Sequence, residues 1–417
     1  MKRSSLVKTG THNDIFFTIF FSILWTRKIL VSYLRVIIMN LPVVSRYADM
    51  IISVAIVVFF CFALPTFLRR VYVKDMALFL LLCAIYFSNY LFYEENRTYF
   101  WQNSREIILH VFPLFFLGLC LYDEDTERLL HVIQRVSLFS VVGFCVYTLA
   151  FRVIDESTLR AGDMYSAYLL LPHVCLTFSL VIRKPNAGNI AVFAMGTLML
   201  LFLGTRGALL CLCICAILMT LAMGRMKKPG LFLMLGVFAM VVLFALGFLD
   251  LLYSLGEKLH LSLRILNKIE QNALTDSTGR NNISAEIWRA FKERPILGRG
   301  LFADRTINGG KYAHNFFLEC LVQLGLCGAI PLIVITVRLF YRGYSILRLE
   351  KRENDICIFI TLFCCSVLKL LFSNSYLLEG NLYLLIGYCC AICRGKPAVF
   401  KLQKELNGPV ERRKLRR

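Results

Sequence analysis

Arg206 stands in the stretch Gly204-Thr205-Arg206-Gly207-Ala208, between two apolar segments, where a guanidinium is costly unless it meets an anion or water. The flanking glycines let a ligand approach the backbone closely. A second arginine, Arg280, follows Ser277-Thr278-Gly279 and precedes an amphipathic run, so it lies beside a helix N-terminus, whose backbone N–H groups favour anions. Its planar fork suits phosphate oxygens. Plainer readings exist: Arg206 as an interfacial residue ending a helix, Arg280 as a solvated loop arginine.

The third candidate is His314, in Tyr312-Ala313-His314-Asn315-Phe316-Phe317-Leu318-Glu319. If His314 opens a helix, the helix dipole disfavours its charged form and leaves a neutral imidazole able to accept a proton. Asn315 and Glu319 are four residues apart and share a helix face, so Glu319 is a candidate second polar group in a cavity. The plainer reading of His314 is an interfacial histidine touching headgroups. Pro295-Ile296-Leu297-Gly298-Arg299-Gly300 reads as a structural turn, because it lacks the strand and the Gly-Lys-Ser/Thr ending of a phosphate loop.

These residues must be positioned by membrane helices. Of the 417 residues 58% are hydrophobic and 18% charged, too little polar surface for a soluble protein of this length. Long continuous apolar runs recur, and lipid forces the backbone to satisfy itself, which selects helices. The expected spans are 15–39, 47–68, 75–93, 104–121, 131–152, 163–182, 189–204, 207–223, 231–250, 314–341, 355–372 and 376–393. The fold class is thus all-α, a polytopic transmembrane bundle of about twelve spans. The first run is interrupted by Thr26-Arg27-Lys28, and Met39 is an alternative start that would make the upstream stretch spurious. The sequence shows no clear repeat symmetry and no clearly broken span, both of which a transporter would be expected to have.

The formal net charge of +20 resides mainly in short loops and in a tail ending Arg412-Arg413-Lys414-Leu415-Arg416-Arg417. This reads as orientation and lipid anchoring rather than nucleic-acid binding. Arg69 to Lys74, Arg183-Lys184, Arg225 to Lys228 and Arg342 to Arg352 alternate with Glu94-Glu95, Asp155-Glu156 and Ser373-Asn374-Ser375, which sets the tail and the basic loops in the cytoplasm. The chain then divides into membrane helices over 1–250, an extracytoplasmic loop over 251–313, further membrane helices over 314–393 and a basic cytoplasmic tail over 394–417.

The loop is far longer than an ordinary connection, and its spacing predicts amphipathic surface helices over Leu255–Ile269 and Ile283–Arg294. The acidic run suited to a divalent ion, Asp123-Glu124-Asp125, falls on the cytoplasmic side, and the outer loop has no Asp-x-Asp. Outer-face chemistry would therefore be metal-independent and need no cofactor. The 16 cysteines lie mostly in apolar runs and read as small hydrophobes.

Thr278-Gly279-Arg280, Trp288, Pro295, Gly298-Arg299-Gly300, His314-Asn315, Leu318-Glu319 and Gly325-Leu326-Cys327-Gly328 resemble the signature region of the O-antigen ligase and polymerase family, and Thr205-Arg206-Gly207-Ala208 resembles its earlier arginine motif. The resemblance implies an inverting, membrane-embedded glycosyltransferase of the cytoplasmic (inner) membrane, acting at the outer face. Its donor would be a polyprenyl (undecaprenyl) diphosphate glycan and its acceptor a lipid-linked repeat unit or lipid core. By the same resemblance Arg206 and Arg280 bind the diphosphate and His314 serves as base, with Asn315 and Glu319 as further substrate contacts. A polymerase needs no dedicated acceptor-docking domain, and none is visible. The rival is a flippase or other transporter of the same lipid-linked glycan.

Overall fold

A computed structural model describes residues 18–27, 29–30, 42–122, 126–152, 163–203, 205–223 and 280–394, and all regular structure among them is helical. The expected span 231–250, the surface helix 255–269, Gly204, Ser277 to Gly279, Asp123 to Asp125 and the basic tail from 395 lie outside the described residues.

The helices follow the apolar runs. They are α1 (18–27), α2 (Pro42–Arg70), α3 (Val73–Phe92), α4 (Glu94–Leu121), α5 (Thr126–Arg152), α6 (Asp163–Arg183), α7 (Ala187–Phe202), α8 (Arg206–Ala222), α9 (Arg280–Glu293), α10 (Ala303–Ile307), α11 (Phe316–Leu349), α12 (Glu353–Phe363, extended by a wide turn Cys364–Leu368) and α13 (Gly380–Cys393). Five stretches among the described residues are long and apolar enough to cross a membrane: Val73–Phe92, Glu94–Leu121, Leu129–Thr148, Tyr165–Arg183 and Phe316–Leu349. Ser53–Pro65, Ala187–Phe202, Gly207–Ala222 and Gly380–Cys393 are shorter apolar helices. All 16 cysteines are free, most of them buried among these helices.

α4 and α13 make the tightest contact. A Cβ on Gly118 would overlap the Leu384 carbonyl, and one on Gly387 the Phe115 carbonyl, so both positions need glycine for the backbones to touch. The α1 segment belongs to the same core: Phe20, Phe21 and Leu24 are buried, and Arg27 pairs with Glu106 of α4 at 3.1 Å. The arginine that interrupts the first apolar run is thereby matched by a carboxylate.

Polar groups collect at the two ends of the bundle. At one end Arg394 pairs with Asp75, Arg352 with Asp355 at 2.6 Å, and the Tyr122 hydroxyl donates to Glu350 at 2.7 Å. This end gathers the basic loops. At the opposite end the segment 299–306 is tied to the α3–α4 hairpin: the Asn96 amide donates to the Arg299 carbonyl at 2.9 Å, and the Leu301 N–H donates to Asn89 at 3.0 Å. Phe302, fully buried, packs edge-on against Phe100 and Tyr86.

Three expectations are corrected. α11 is broken inside the membrane segment, at Gly325 (φ 60°, ψ −173°). The Pro295–Gly300 turn closes the break: Leu326 and Cys327 N–H groups donate to the Pro295 and Ile296 carbonyls, and Arg299 and Gly300 N–H groups donate to the Val322 and Gln323 carbonyls, all at 2.8–3.1 Å. Freed backbone groups in lipid must find such partners. Second, α11 begins at Phe316 rather than at 314, because Asn315 caps it by accepting the Leu318 N–H at 3.2 Å. Third, α13 begins at Gly380 rather than at 376, because Asn374 is left-handed (φ 72°) and Glu379 is the cap.

Candidate active site

His314 precedes the cap residue of α11 and adopts a left-handed backbone (φ 54°), uncommon for a residue with a side chain. It therefore stands just outside the helix it was expected to open. Its ring lies 4.0 Å from that of Tyr312, centroid to centroid. Such a conformation persists only where the surroundings hold it.

What holds it is a buried polar network. The Ala313 N–H, next to His314 in the chain, donates to Asp304 Oδ2 at 3.0 Å. Gln323 Nε2 donates to Asp304 Oδ1 at 2.8 Å and to Glu319 Oε1 at 3.4 Å. Glu319 also accepts from the Ser375 hydroxyl and, at 3.2 Å, from the Tyr376 N–H, and the Tyr376 hydroxyl donates to Gln323 Oε1 at 2.8 Å. Asp304, Glu319 and Gln323 are all buried. The network thus ties together α10, α11 and the 373–376 turn. Burial pushes the Asp304 carboxyl above the usual range, against the pull of its hydrogen bonds to Gln323, Ala313 and Arg305 and of the Arg305 charge. Glu319 belongs inside this network rather than on a cavity wall, and Asn315 is exposed with its amide oxygen on the helix cap.

Beside the network opens a cavity of about 130 Å³, lined by parts of α1, α4 and α6, by Tyr312, and by the segment 369–381. Lys369 donates to Glu379 at 2.5 Å, and Asn374 donates to the same carboxylate oxygen at 2.6 Å. The Lys369 ammonium is 5.4 Å from the centre of the Tyr168 ring.

The two expected arginines are the first residues of α8 and α9. The Arg206–Gly207 turn abuts the cavity wall: a Cβ on Gly207 would overlap the Tyr168 hydroxyl and lie 3.2 Å from Phe372. Tyr168 and Tyr312 line the same cavity, so the neighbours of Arg206 and of His314 meet there. α9 packs through Ile287 and Phe291 on Ala313 and Val322, beside the His314 segment.

The sequence reading missed Asp304, Gln323, Lys369, Asn374 and Glu379. Lys369 carried a signal, a lysine inside the apolar run 355–372, which is by default a functional position. Asp304 and Gln323 carried none, since their pairing spans a loop and a helix.

Residues 190–333 match the family model of O-antigen ligase. The match runs from α7 into α11, takes in Arg206, Arg280, His314, Asn315 and Glu319, and supports assignment to the O-antigen ligase and polymerase family. A search of curated proteins found no match to the chain.

Proposed function

We propose, from that family match, that the protein transfers a glycan from a polyprenyl diphosphate to an acceptor sugar hydroxyl at the outer face of the cytoplasmic membrane. The observation that carries the reading is that Tyr168, packed against Gly207, and Tyr312, the ring neighbour of His314, line one cavity. The acceptor oxygen forms a bond to the anomeric carbon, with inversion, as the bond from that carbon to the lipid diphosphate breaks. Negative charge develops on the departing oxygens. Arg206 and Arg280 stabilise it, aided at α8 by first-turn N–H groups that no side chain caps. His314 takes the hydroxyl proton.

Asn315 and Glu319 enter this reading at one remove. The first caps the helix behind His314, and the second fixes the 373–376 turn. The mechanism is metal-independent in our reading: both buried carboxylates of the network, Asp304 and Glu319, already accept hydrogen bonds from protein donors. We take the bundle to have about twelve spans with the loop 251–313 outside, on the charge pattern of its connections. Between the two family activities we favour the polymerase, since the sequence sets no segment apart for docking a separate acceptor.

The test is reconstitution. Purified protein in vesicles, supplied with polyprenyl-diphosphate glycan, is expected to lengthen the glycan or create a new linkage. Glycan that changes only its sidedness would overturn the reading in favour of a flippase.

A further inference from the structure

We propose that the Lys369–Glu379 cavity is the acceptor subsite, holding the sugar ring whose hydroxyl is to be glycosylated. This rests on the glycosyl-transfer reading and adds the place of its second substrate.

Lys369 and Glu379 are both buried, with side-chain exposures of 11% and 5%, in a bundle whose surroundings are apolar. A buried pair adds little stability over a well-packed apolar core, so its presence asks for another reason. Its charges cancel, so the pair offers a diphosphate no net attraction; a neutral polar ligand fits better. Around it stand Asn374, which is held left-handed (φ 72°) with its amide on Glu379, and Asn381. These groups supply donors and acceptors for several hydroxyls at once.

The rest of the wall combines the aromatic residues Trp25, Tyr165, Tyr168 and Tyr312 with aliphatic ones and two histidines. Flat apolar faces combined with a few fixed polar groups are what a pyranose ring requires of a pocket. Position agrees with chemistry. Tyr312 is the ring neighbour of His314, and Tyr168 lies against Gly207. The cavity thus touches the ring neighbour of the proposed base and a tyrosine packed on the residue that follows Arg206.

Trp25 provides the assay, because the chain has only three tryptophans and this one lines the cavity. With Trp101→Phe and Trp288→Phe in the full-length chain in lipid nanodiscs, Trp25 emission is titrated with methyl glycosides of glucose, galactose, mannose and N-acetylglucosamine, and separately with inorganic pyrophosphate. At least one glycoside is expected to change the emission saturably, and pyrophosphate is not. Asn374→Gly keeps the left-handed backbone while removing the amide, and should weaken the glycoside about five-fold, as loss of one hydrogen bond does. Glu379→Gln should weaken it further.

Saturable binding of pyrophosphate in place of glycosides, silence with every probe, or equal glycoside affinity in native and Asn374→Gly protein would overturn the subsite. If the subsite fails in this way while the protein still transfers glycan, the reading of the reaction survives. Glycoside binding in a protein that transfers no glycan would overturn that reading, and the acceptor assignment with it.

Discussion

Replacing Asp304 by asparagine changes almost no shape but removes one acceptor. The carboxylate accepts the Ala313 N–H at 3.0 Å on one oxygen and Gln323 Nε2 at 2.8 Å on the other. An asparagine presents one oxygen and one amide nitrogen, so one of these donors must face another donor. Leaving a buried donor unsatisfied costs about 1–3 kcal/mol. The adjacent residue is His314, whose left-handed backbone is held against about 1–3 kcal/mol of strain. If about 2 kcal/mol is withdrawn from the held conformer, the fraction in productive geometry falls about 30-fold.

Turnover of Asp304→Asn in a glycan-extension assay should fall by that order, with affinity for the lipid-diphosphate donor unchanged. The variant should also lose a pH dependence. Burial raises the Asp304 pKa above its ordinary 3.8, so folding favours proton uptake there relative to the unfolded chain. That contribution to stability is present below the unfolded value and is lost as pH rises through the folded one. The native thermal midpoint should therefore decline more steeply than the variant's as pH rises above 3.8. A folded Asp304→Asn protein with native turnover and the native pH slope would refute this account of how His314 is held.

Gly325→Ala should lower the melting temperature in detergent, since its Cβ would overlap the Ile296 carbonyl and lie 2.5 Å from the Gly298 nitrogen at a positive φ; an unchanged melting temperature would contradict the closure of the α11 break by the 295–300 turn. Removing residues 1–38 should destabilise the bundle, because it takes away Phe20, Phe21, Leu24 and the Arg27–Glu106 pair; a truncated protein with native stability and activity would show that α1 is dispensable. In a background without accessible cysteines, a membrane-impermeant thiol reagent added to cells should label Lys311→Cys and spare Glu353→Cys, and the reverse pattern would invert the proposed orientation.

The all-helical class was legible because apolar runs of membrane length leave little choice of structure. The helix ends were less so. α4 starts ten residues before its apolar run, because the polar turns of Arg97–Glu106 continue the helix out of it. The turn before α13 was hidden in an apolar-looking stretch, Ser375 to Leu378, which helical periodicity alone would continue. The break at Gly325 could not be read from Leu324-Gly325-Leu326, since a lone glycine in a span is ordinary and its cause is a loop distant in sequence. Of the candidate site, the sequence offered the residue types that carry a cost in lipid: an arginine at a helix start and a histidine at a boundary. The network beside His314 and the Lys369–Glu379 pair were not legible, because Asp304, Gln323 and Glu379 act through contacts between separate elements.

Separating donor binding from turnover in three variants tests the central claim most directly. Arg206→Ala, Arg280→Ala and His314→Ala are each reconstituted, and both the affinity for polyprenyl-diphosphate glycan and the rate of glycan extension are measured. The arginine variants should lose donor affinity together with rate, and Arg→Lys should restore only part of it, because a point charge cannot reproduce the planar fork. His314→Ala should bind donor as the native protein does while turnover falls about 10²–10⁴-fold. Donor binding abolished in His314→Ala but normal in both arginine variants would contradict the account, as would near-native turnover in all three.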